Sequence, residues 1–472
     1  MTAPALWTAT DAAEATVGQK VGEWSATGIS IDTRSLENGD LFVALSGPNF
    51  DGHEFVASAF ENGAAAALVS QAGRQSLDDN SGLIVADTLY ALRALAAAAR
   101  ARSAAKIAAI TGSVGKTGTK EALAHVLAPQ GATSFSKNSL NNHWGVPLSL
   151  ARMPADTAFG IFEIGMNHSG EITPLVGLAR PHVAVVTAIA PAHMAFFSSL
   201  EEIARAKAEI FSGLDGGIAV INRDTEHFNL LAQSALATGA ANIISFGRSA
   251  KADMRLIECE SDTTGSSIEM RWYGKPLKFR IGQPGLHWAY NSLAVLATVD
   301  ALGGNIDEAA AAMASLPDLA GRGAIHEIPW GNGKIRLIDD SYNANPESMN
   351  AALQMLGHIP KNGGRRVAIL GDMLELGEIS AVAHAGLESE VLKNDIDTVF
   401  LAGSEMAALA DALPKATLGG VSDTAEGLLP IVLSSLEAGD IVSIKASNSI
   451  GFSRIVKKLT NAAPVERAAN DT

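Results

Sequence analysis

The segment from Lys106 to Glu121 constrains this chain more than any other stretch. It reads KIAAITGSVGKTGTKE, an apolar and β-branched run followed by a glycine-containing turn and then the start of a helical pattern. A strand that turns in this way into a helix directs several backbone N–H groups and the positive end of a helix dipole at one point. The segment therefore predicts a phosphate-binding loop inside an α/β fold.

Individual residues of this turn carry the chemistry that binding of a polyphosphate requires. Lys116 would place a mobile cation against the β- and γ-phosphates, and the Thr117 hydroxyl would be a ligand for Mg²⁺. The fuller loop pattern has another glycine at the position of Ile110, so this loop is a shortened form. A glycine-rich turn that binds nothing is the alternative interpretation. The nucleotide-binding residues predicted here are Gly112, Ser113, Val114, Gly115, Lys116 and Thr117.

Composition excludes several classes of protein. A chain of 472 residues with 47% hydrophobic residues can bury a large core and should form two to four domains. Its formal net charge of -15 argues against a nucleic-acid binder. The single cysteine, Cys259, permits no internal disulfide. No basic and then apolar leader is visible, and the apolar runs are shorter than the ~20 residues that cross a bilayer. We expect a cytoplasmic protein without membrane insertion.

Strands and helices alternate along most of the chain. This alternation predicts a mostly parallel sheet with helices on both faces. Residues 252–281 instead alternate like an antiparallel meander, and the segment SLPDLAGRG marks a boundary where proline and glycine cluster. The fold class predicted is α/β with three domains. A smaller α/β domain spans residues 1–102, a central P-loop domain residues 103–317, and a Rossmann-like domain residues 318–472.

Two residues follow predicted strands of the central domain. Ligands in parallel sheets bind at the carboxyl ends of the strands. This rule selects Glu163, which closes the strand predicted over 157–163 and suits a Mg²⁺ ligand. It also selects His193, shortly after the strand predicted over 183–187. A solvent-facing glutamate and a structural histidine are the alternatives.

Several other polar residues allow two interpretations. Lys207 lies in an amphipathic helical pattern that favours a solvated lysine on the polar face. Asn138, Asn141 and Asn142 could cap turns, or they could orient water and substrate oxygens. Asp340, after the strand predicted over 335–339, could hold a ribose or cap a helix.

In this order, the motifs resemble those of the Mur ligase family from about residue 30 to residue 459. The segments that carry the resemblance are DTRSLENGDLFVALSGPNFDGHEF, TGSVGKTGTKE, NSLNNHWGVPLSL, FEIGMNHSGEI, PAHMAFFSSLEEIARAKAEIF, DDSYNANPESM and LGDMLELGE. The first and the last two favour the family member that adds D-alanyl-D-alanine. The resemblance implies three domains that bind a UDP-sugar peptide, ATP and the incoming amino acid or dipeptide.

The implied function is that of an ATP-dependent ligase in peptidoglycan precursor synthesis. ATP would phosphorylate the terminal carboxylate of UDP-N-acetylmuramoyl-tripeptide, and the amine of D-alanyl-D-alanine would attack the acyl phosphate. The implied cofactors are ATP and one or two Mg²⁺ ions, and a monomer is expected. Two alternatives stay open at this point: a sibling ligase that adds a single amino acid, and a nucleotide-binding regulator without turnover.

The resemblance also implies roles for residues. Thr117 and Glu163 would hold one Mg²⁺, and His193 would help to bind a second. Lys207 matches a lysine carried as a carbamate, which would make it a metal ligand of reversed charge. With Lys116, the residues Glu163, His193 and Lys207 are the expected catalytic set. Asn291, Arg322 and Asp340 are implied to bind the nucleotide, and the substrate-binding residues expected are Thr33, Arg34, Asp51, His53, Asn138, Asn141 and Asn142.

Two positions depart from the family pattern. Where the family reads lysine-glycine-serine-arginine, this chain has Lys445, Ala446, Ser447 and Asn448, so one expected cation is missing. Gly118 follows Thr117 where a second hydroxyl residue is common, which would weaken one phosphate contact.

Overall fold

The computed structural model describes residues 4–191, 194–262, 264–319 and 321–461. Within these ranges the chain builds three large sheets, of nine, six and five strands, covered by helices. Two short strand pairs, Trp7–Thr8 with Ser25–Ala26 and Ser46–Gly47 with Phe50–Asp51, complete the strands. The predicted α/β class is confirmed. None of the helices in the described ranges has the length and apolar character that a bilayer crossing requires.

The phosphate-loop strand is the third of nine strands in the largest sheet. Its order is Thr133–Phe135, Phe159–Glu163, Lys106–Thr111, Val183–Val186, Ile218–Asn222, Asn242–Gly247, Met254–Asp262, Gly265–Trp272 and Lys275–Ile281. The first seven strands are parallel. The seventh, Met254–Asp262, also begins the predicted antiparallel meander that it forms with the last two strands. The helices associated with this sheet are Lys116–Leu127, Gly145–Ala151, Ile172–Ala179, Leu200–Ala208, Phe228–Ala237, Leu286–Ala301 and Ile306–Ala312.

Both faces of the phosphate-loop strand are buried. Ile107 and Ala109 belong to one hydrophobic cluster, whereas Ala108 and Ile110 belong to a second cluster on the opposite face. Successive side chains of a strand point to opposite faces, so an uninterrupted apolar run is what a strand covered on both sides requires. The loop that follows is therefore anchored in the core.

The five-stranded sheet lies in the N-terminal part of the chain. Its order is Gln19–Val21, Gly82–Val85, Ala66–Ser70, Asp40–Val43 and Gly28–Ser30, with helices Ala9–Thr16, Val56–Glu61 and Thr88–Arg102. One hydrophobic cluster runs from this sheet into the central domain. The Trp7 indole N–H donates to the carbonyl of Ala151 at 2.9 Å, and Arg152 Nε donates to the carbonyl of Ile29 at 2.6 Å. These contacts fix the first sheet against the central one.

The six-stranded sheet follows residue 321. Its order is Ala324–Trp330, Gly333–Asp340, Ile441–Lys445, Arg366–Gly371, Thr398–Ala402 and Leu418–Ser422, and only the first pair is antiparallel. Its helices are Pro346–His358, Ser380–Ala385, Leu387–Lys393, Ala407–Ala412, Ala425–Ser435 and Ser453–Thr460. Helices Ser380–Ala385 and Leu387–Lys393 are separated only by Gly386.

Candidate active site

The phosphate loop has a shape that only glycine permits at two points. Gly112 and Gly115 have φ angles of 153° and 83°. A Cβ on Gly112 would lie 1.9 Å from Thr187 Oγ1, and a Cβ on Gly115 would lie 2.6 Å from Asn291 Oδ1. Thr187 Oγ1 donates to the carbonyl of Val114 at 2.6 Å and so closes the loop against the neighbouring strand. Thr187 was not predicted, although it is the last residue of a predicted strand.

The side chains of the loop fit a phosphate group. Ser113 Oγ is buried and has no hydrogen-bond partner among the described atoms. Lys116 Nζ donates to the loop carbonyl of Gly112 at 2.7 Å. Burial lowers the pKa of Lys116, and the nearby Glu163 carboxylate opposes this shift. An unpartnered hydroxyl and a partly desolvated ammonium beside the helix N-terminus are groups that a bound anion would satisfy.

The Thr117 hydroxyl and the Glu163 carboxylate lie together. Thr117 Oγ1 donates to Glu163 Oε2 at 2.8 Å, and Asn141 Nδ2 donates to Glu163 Oε1 at 2.7 Å. The Glu163 side chain is buried, at the end of a strand in register with Ile110. Hydroxyl and carboxylate oxygens are ligands that Mg²⁺ prefers. No group of three or more His, Cys, Asp or Glu side chains that could hold a metal ion converges within the described ranges.

The three asparagines occupy different positions. Asn141 contacts Glu163, whereas Asn142 Oδ1 accepts from the backbone N–H of Gly145 at 2.9 Å and stabilises the start of helix Gly145–Ala151. Asn138 is in the left-handed region, with φ 52°, and presents its carbonyl to the lysine at position 120. The cluster therefore combines turn formation with one contact to the candidate metal site.

Lys207 is buried in helix Leu200–Ala208, with 1% exposure. The solvated lysine that the helical pattern favoured is therefore wrong, because this face of the helix packs against the protein interior. No described atom accepts a hydrogen bond from its amine. Burial, and secondarily the charge of Lys116, lower the pKa of Lys207 well below its usual range. His193, predicted beside these groups, lies outside the described residues.

Side chains from beyond residue 320 reach the phosphate loop. Arg322 Nη2 donates to Thr117 Oγ1 at 2.9 Å, and its guanidinium lies 4.3 Å from the centre of the Tyr342 ring. Tyr342 in turn hydrogen-bonds Ser139. The backbone N–H of Ala195 donates to the carbonyl of Glu375 at 3.0 Å. The C-terminal sheet thus closes over the loop, and Tyr342 and Ser139, which were not predicted, form part of the contact.

Asp340 forms an ion pair with Lys445 on the neighbouring strand of the six-stranded sheet. Lys445 Nζ lies 2.6 Å from Asp340 Oδ2, and it also donates to the carbonyl of Asn343 at 2.9 Å. Lys445 is buried. The next residue, Ala446, packs against Gly371, where an added Cβ would lie 2.8 Å from the Ala446 Cβ. Asn448 begins a short 3-10 turn. The segment 445–448, which differs from the family pattern, thus fits the fold, and Lys445 pairs with Asp340.

The glycine at position 118 leaves room for helix Leu286–Ala301, which packs against it. A Cβ at this position would lie 3.0 Å from Asn291 Nδ2 and 3.3 Å from the Trp288 ring. Helix Leu286–Ala301 can therefore approach the phosphate-loop helix closely, and this contact places Asn291 beside Gly115 and Gly118. A larger residue at position 118 would crowd this contact between the two helices.

The candidate residues of the N-terminal part form a separate group. Asp51 Oδ1 contacts His53 Nδ1 at 2.6 Å, and His53 Nε2 accepts from the backbone N–H of Ser70 at 3.0 Å. The hydrogen bond from His53 lowers the pKa of Asp51 to about 2. Arg34 is exposed and pairs with Asp32 at 2.6 Å. Thr33 uses its carbonyl to accept from Asn62 at 3.2 Å. No described contact joins these residues to the phosphate loop.

Replacing His53 by alanine should destabilise the N-terminal part by about 1–3 kcal/mol, since it strands the Ser70 N–H and frees Asp51. Because the pKa of Asp51 is depressed, its contribution is complete above the unfolded value near ~3.9 and is lost as the pH falls towards about 2. The difference between wild type and variant should therefore shrink below pH 4. Urea unfolding at several pH values measures this. Arg34→Ala, which removes an exposed pair, serves as control and should leave the midpoint unchanged.

Comparisons with known proteins agree with this geometry. Three family models match: Mur ligase family, catalytic domain, at residues 25–111; Mur ligase middle domain, at 110–299; and Mur ligase, glutamate ligase domain, at 321–448. A UDP-N-acetylmuramoyl-tripeptide–D-alanyl-D-alanine ligase from Rickettsia prowazekii is 36% identical over 432 residues, which cover 91% of this chain and 94% of the relative.

Two solved structures are similar over most of their length. A crystal structure of MurF from Acinetobacter baumannii superimposes with a TM-score of 0.83 at 29% identity, covering 97% of this chain and 99% of that one. The MurF ligase from Thermotoga maritima in complex with ADP gives 0.75 at 26% identity, covering 92% and 97% respectively.

Proposed function

This chain belongs to the Mur ligase family, and from that premise we propose that it joins D-alanyl-D-alanine to UDP-N-acetylmuramoyl-tripeptide with consumption of ATP. The observation that carries the proposal is the convergence of Lys116, Thr117 and Glu163 at the edge of the sheet. The sibling reaction with a single amino acid is not favoured, because the relatives at 30–38% identity are D-alanyl-D-alanine ligases by name.

The reaction would proceed in two steps. The γ-phosphoryl group of ATP passes to the terminal carboxylate of the tripeptide, which yields ADP and an acyl phosphate. The amine of D-alanyl-D-alanine then attacks the carbonyl carbon, phosphate leaves, and the attacking nitrogen loses a proton. The first step brings the anionic γ-phosphoryl group and the anionic carboxylate together. Cations at the loop lower the barrier because they reduce the repulsion between these groups. Mg²⁺, when bound, supplies charge neutralisation at the phosphates.

The residues of the site would divide this work. Thr117 and Glu163 would hold Mg²⁺, with His193 and a carbamylated Lys207 serving a second ion. Lys116 and the loop from Gly112 to Gly115 would hold the phosphates. Asn291 would contact the adenine, and Arg322 and Asp340 would bind from the closing C-terminal domain. Closure would exclude the water that otherwise hydrolyses the acyl phosphate.

The three segments would bind three substrates. We assign residues 1–102, including Thr33, Arg34, Asp51 and His53, to the UDP-sugar peptide, residues 103–317 to ATP, and residues 318–472 to the dipeptide. Asn138, Asn141 and Asn142 border the site of the tripeptide carboxylate in this assignment. The protein would act as a monomer in the cytoplasm, where ATP and nucleotide-activated sugars are made.

Phosphate release by the purified protein tests the proposed reaction. With ATP, Mg²⁺ and UDP-N-acetylmuramoyl-tripeptide present, release should depend on added D-alanyl-D-alanine, and the pentapeptide product should appear in mass spectra. Release that requires only a free amino acid would indicate the sibling reaction. Nucleotide binding without ADP formation, whatever acceptor is supplied, would indicate a regulator.

Carbamylation of Lys207 gives a separate prediction. Its lowered pKa leaves more neutral amine near neutral pH, and a neutral amine adds to CO₂, losing one proton to form a carbamate anion. Removing CO₂ should lower the turnover about tenfold or more, and bicarbonate should restore it. ¹³C-bicarbonate should give a carbamate resonance in the wild type that Lys207→Arg lacks. Equal turnover with and without CO₂ would contradict the modification.

A further inference from the structure

Lys120 is a fully buried lysine that the mechanism above does not use. It lies one turn beyond Lys116 in helix Lys116–Leu127, and its relative exposure is 0%. Its Nζ donates to the carbonyl of Ser136 at 2.6 Å and to the carbonyl of Asn138 at 2.8 Å, and Glu121 Oε1 lies 2.8 Å away. Two of the three N–H donors of the ammonium therefore reach loop carbonyls, and the Glu121 carboxylate balances its charge.

The two carbonyls belong to a segment that ends at the candidate metal site. We call residues 136–142 the asparagine loop. Asn138 takes a left-handed conformation, with φ 52°, while its carbonyl faces Lys120. Three residues later, Asn141 donates to Glu163 Oε1 at 2.7 Å, and its own carbonyl accepts from the backbone N–H of Gly165 at 2.9 Å. The loop therefore spans from Lys120 to the Glu163 carboxylate.

The same loop contacts the C-terminal domain. Ser139 hydrogen-bonds Tyr342, whose ring lies against Arg322, and Arg322 donates to Thr117 Oγ1 at 2.9 Å. A continuous chain of contacts therefore leads from Thr117 through Glu163 to the asparagine loop. It returns to Thr117 through Tyr342 and Arg322. A displacement of the loop would move both Asn141 and Ser139.

We propose that Lys120 is a positioning residue for the metal ligand Glu163, because its ammonium fixes the asparagine loop so that Asn141 orients the Glu163 carboxylate. The inference rests on the proposed function, since it requires Mg²⁺ at Thr117 and Glu163. A buried ammonium bonded to two loop carbonyls holds the loop more tightly than a neutral donor, because bonds to charged groups are the stronger ones. Because Lys120 is fully buried and bonded to loop carbonyls, it acts through Asn141.

Binding of a fluorescent ATP analogue at increasing Mg²⁺ concentration tests this role without turnover. Lys120→Met keeps the length of the side chain and removes its donors. Mg²⁺ should strengthen nucleotide binding, and the Mg²⁺ concentration that gives half of this effect is the Mg²⁺ midpoint. Lys120→Met should raise the Mg²⁺ midpoint about tenfold. The affinity for the nucleotide in the absence of Mg²⁺ should change less than about threefold. Lys106→Met is the matched control, because Lys106 Nζ also donates to a backbone carbonyl, that of Leu302 at 2.6 Å, at the far end of the phosphate-loop strand. Its Mg²⁺ midpoint should equal that of the wild type.

A double-mutant cycle with Asn141→Ala separates positioning from general stabilisation. If Lys120 acts through Asn141, then Lys120→Met should shift the Mg²⁺ midpoint in the wild type but not in the Asn141→Ala background. Hydrogen exchange of the 136–142 amides should also become faster in Lys120→Met and stay unchanged in Lys106→Met. Lys120→Gln, which retains an amide donor, should give an intermediate midpoint and serves if Lys120→Met does not fold.

The outcomes distinguish the two proposals. A wild type whose nucleotide binding does not respond to Mg²⁺ would contradict the proposed function itself. A responsive wild type with an unchanged midpoint in a folded Lys120→Met or Lys120→Gln would overturn only the role of Lys120. Equal shifts in the two backgrounds of the cycle would also overturn it, because they would show that Lys120 does not act through Asn141.

Discussion

Lys116→Ala is expected to lower kcat about 10³-fold while the protein remains folded. The Lys116 ammonium lies against the turn between Gly112 and Gly115, where the carbonyl of Gly112 accepts a hydrogen bond from it at 2.7 Å. Transfer of a phosphoryl group to a carboxylate brings two anions together, so a fixed cation acts mainly on the transition state. Loss of a single group of this kind commonly costs 10²–10³-fold in kcat, and here the second anion adds to the penalty.

The kinetics should show the loss in kcat as well as in kcat/KM for ATP, which is the signature of an interaction made in the transition state. Burial already lowers the pKa of Lys116, so its removal relieves a desolvated charge and should not unfold the protein. Lys278→Ala is the matched control, because Lys278 pairs with Glu269 on the surface of the meander. A Lys116→Ala enzyme with a near-normal rate would place the phosphate site elsewhere.

The sequence was most informative where local patterns and buried packing coincide. Three elements show this: the phosphate-loop strand, the strand ending at Glu163 and the meander. The apolar or alternating pattern of each predicted its strands, and the structure has strands there. Other elements lacked such a pattern. Strand Ala324–Trp330 contains Pro329, which argues against a strand, and it is tolerated because this strand lies at the edge of its sheet.

The contacts between distant segments could not be predicted from local sequence. The helical pattern around Lys207 favoured a solvated lysine, because periodicity shows only which residues share a face of the helix. The burial of Lys207 depends on the tertiary packing against that helix, which local sequence does not report. The same reasoning applies to Thr187, Tyr342 and Lys120, which are single polar residues whose partners lie 16 to 203 positions away in the chain. Resemblance to a family supplied residue roles, but geometry shows which of them share one site.

Glu163→Gln is expected to lower kcat about 10²–10³-fold and to raise the Mg²⁺ concentration needed for half-maximal activity more than tenfold. The substitution keeps the size of a side chain that is 1% exposed, so the packing around it is retained. It removes the charge that attracts Mg²⁺ and leaves an amide facing Thr117 Oγ1 and Asn141 Nδ2, which both donate to the carboxylate. A neutral amide is a weaker ligand for a hard dication.

A comparison of two metal concentrations separates ligand loss from misfolding. If Glu163 is a ligand, a large excess of Mg²⁺ should recover part of the rate, because weaker binding is offset by mass action. A variant that is only misfolded should recover nothing. Glu269→Gln, which removes the acidic partner of Lys278, should keep both the wild-type rate and the wild-type Mg²⁺ dependence. An unaltered Mg²⁺ requirement in Glu163→Gln would show that the ion is held by other groups, because a carboxylate that binds it cannot be neutralised without weakening its affinity.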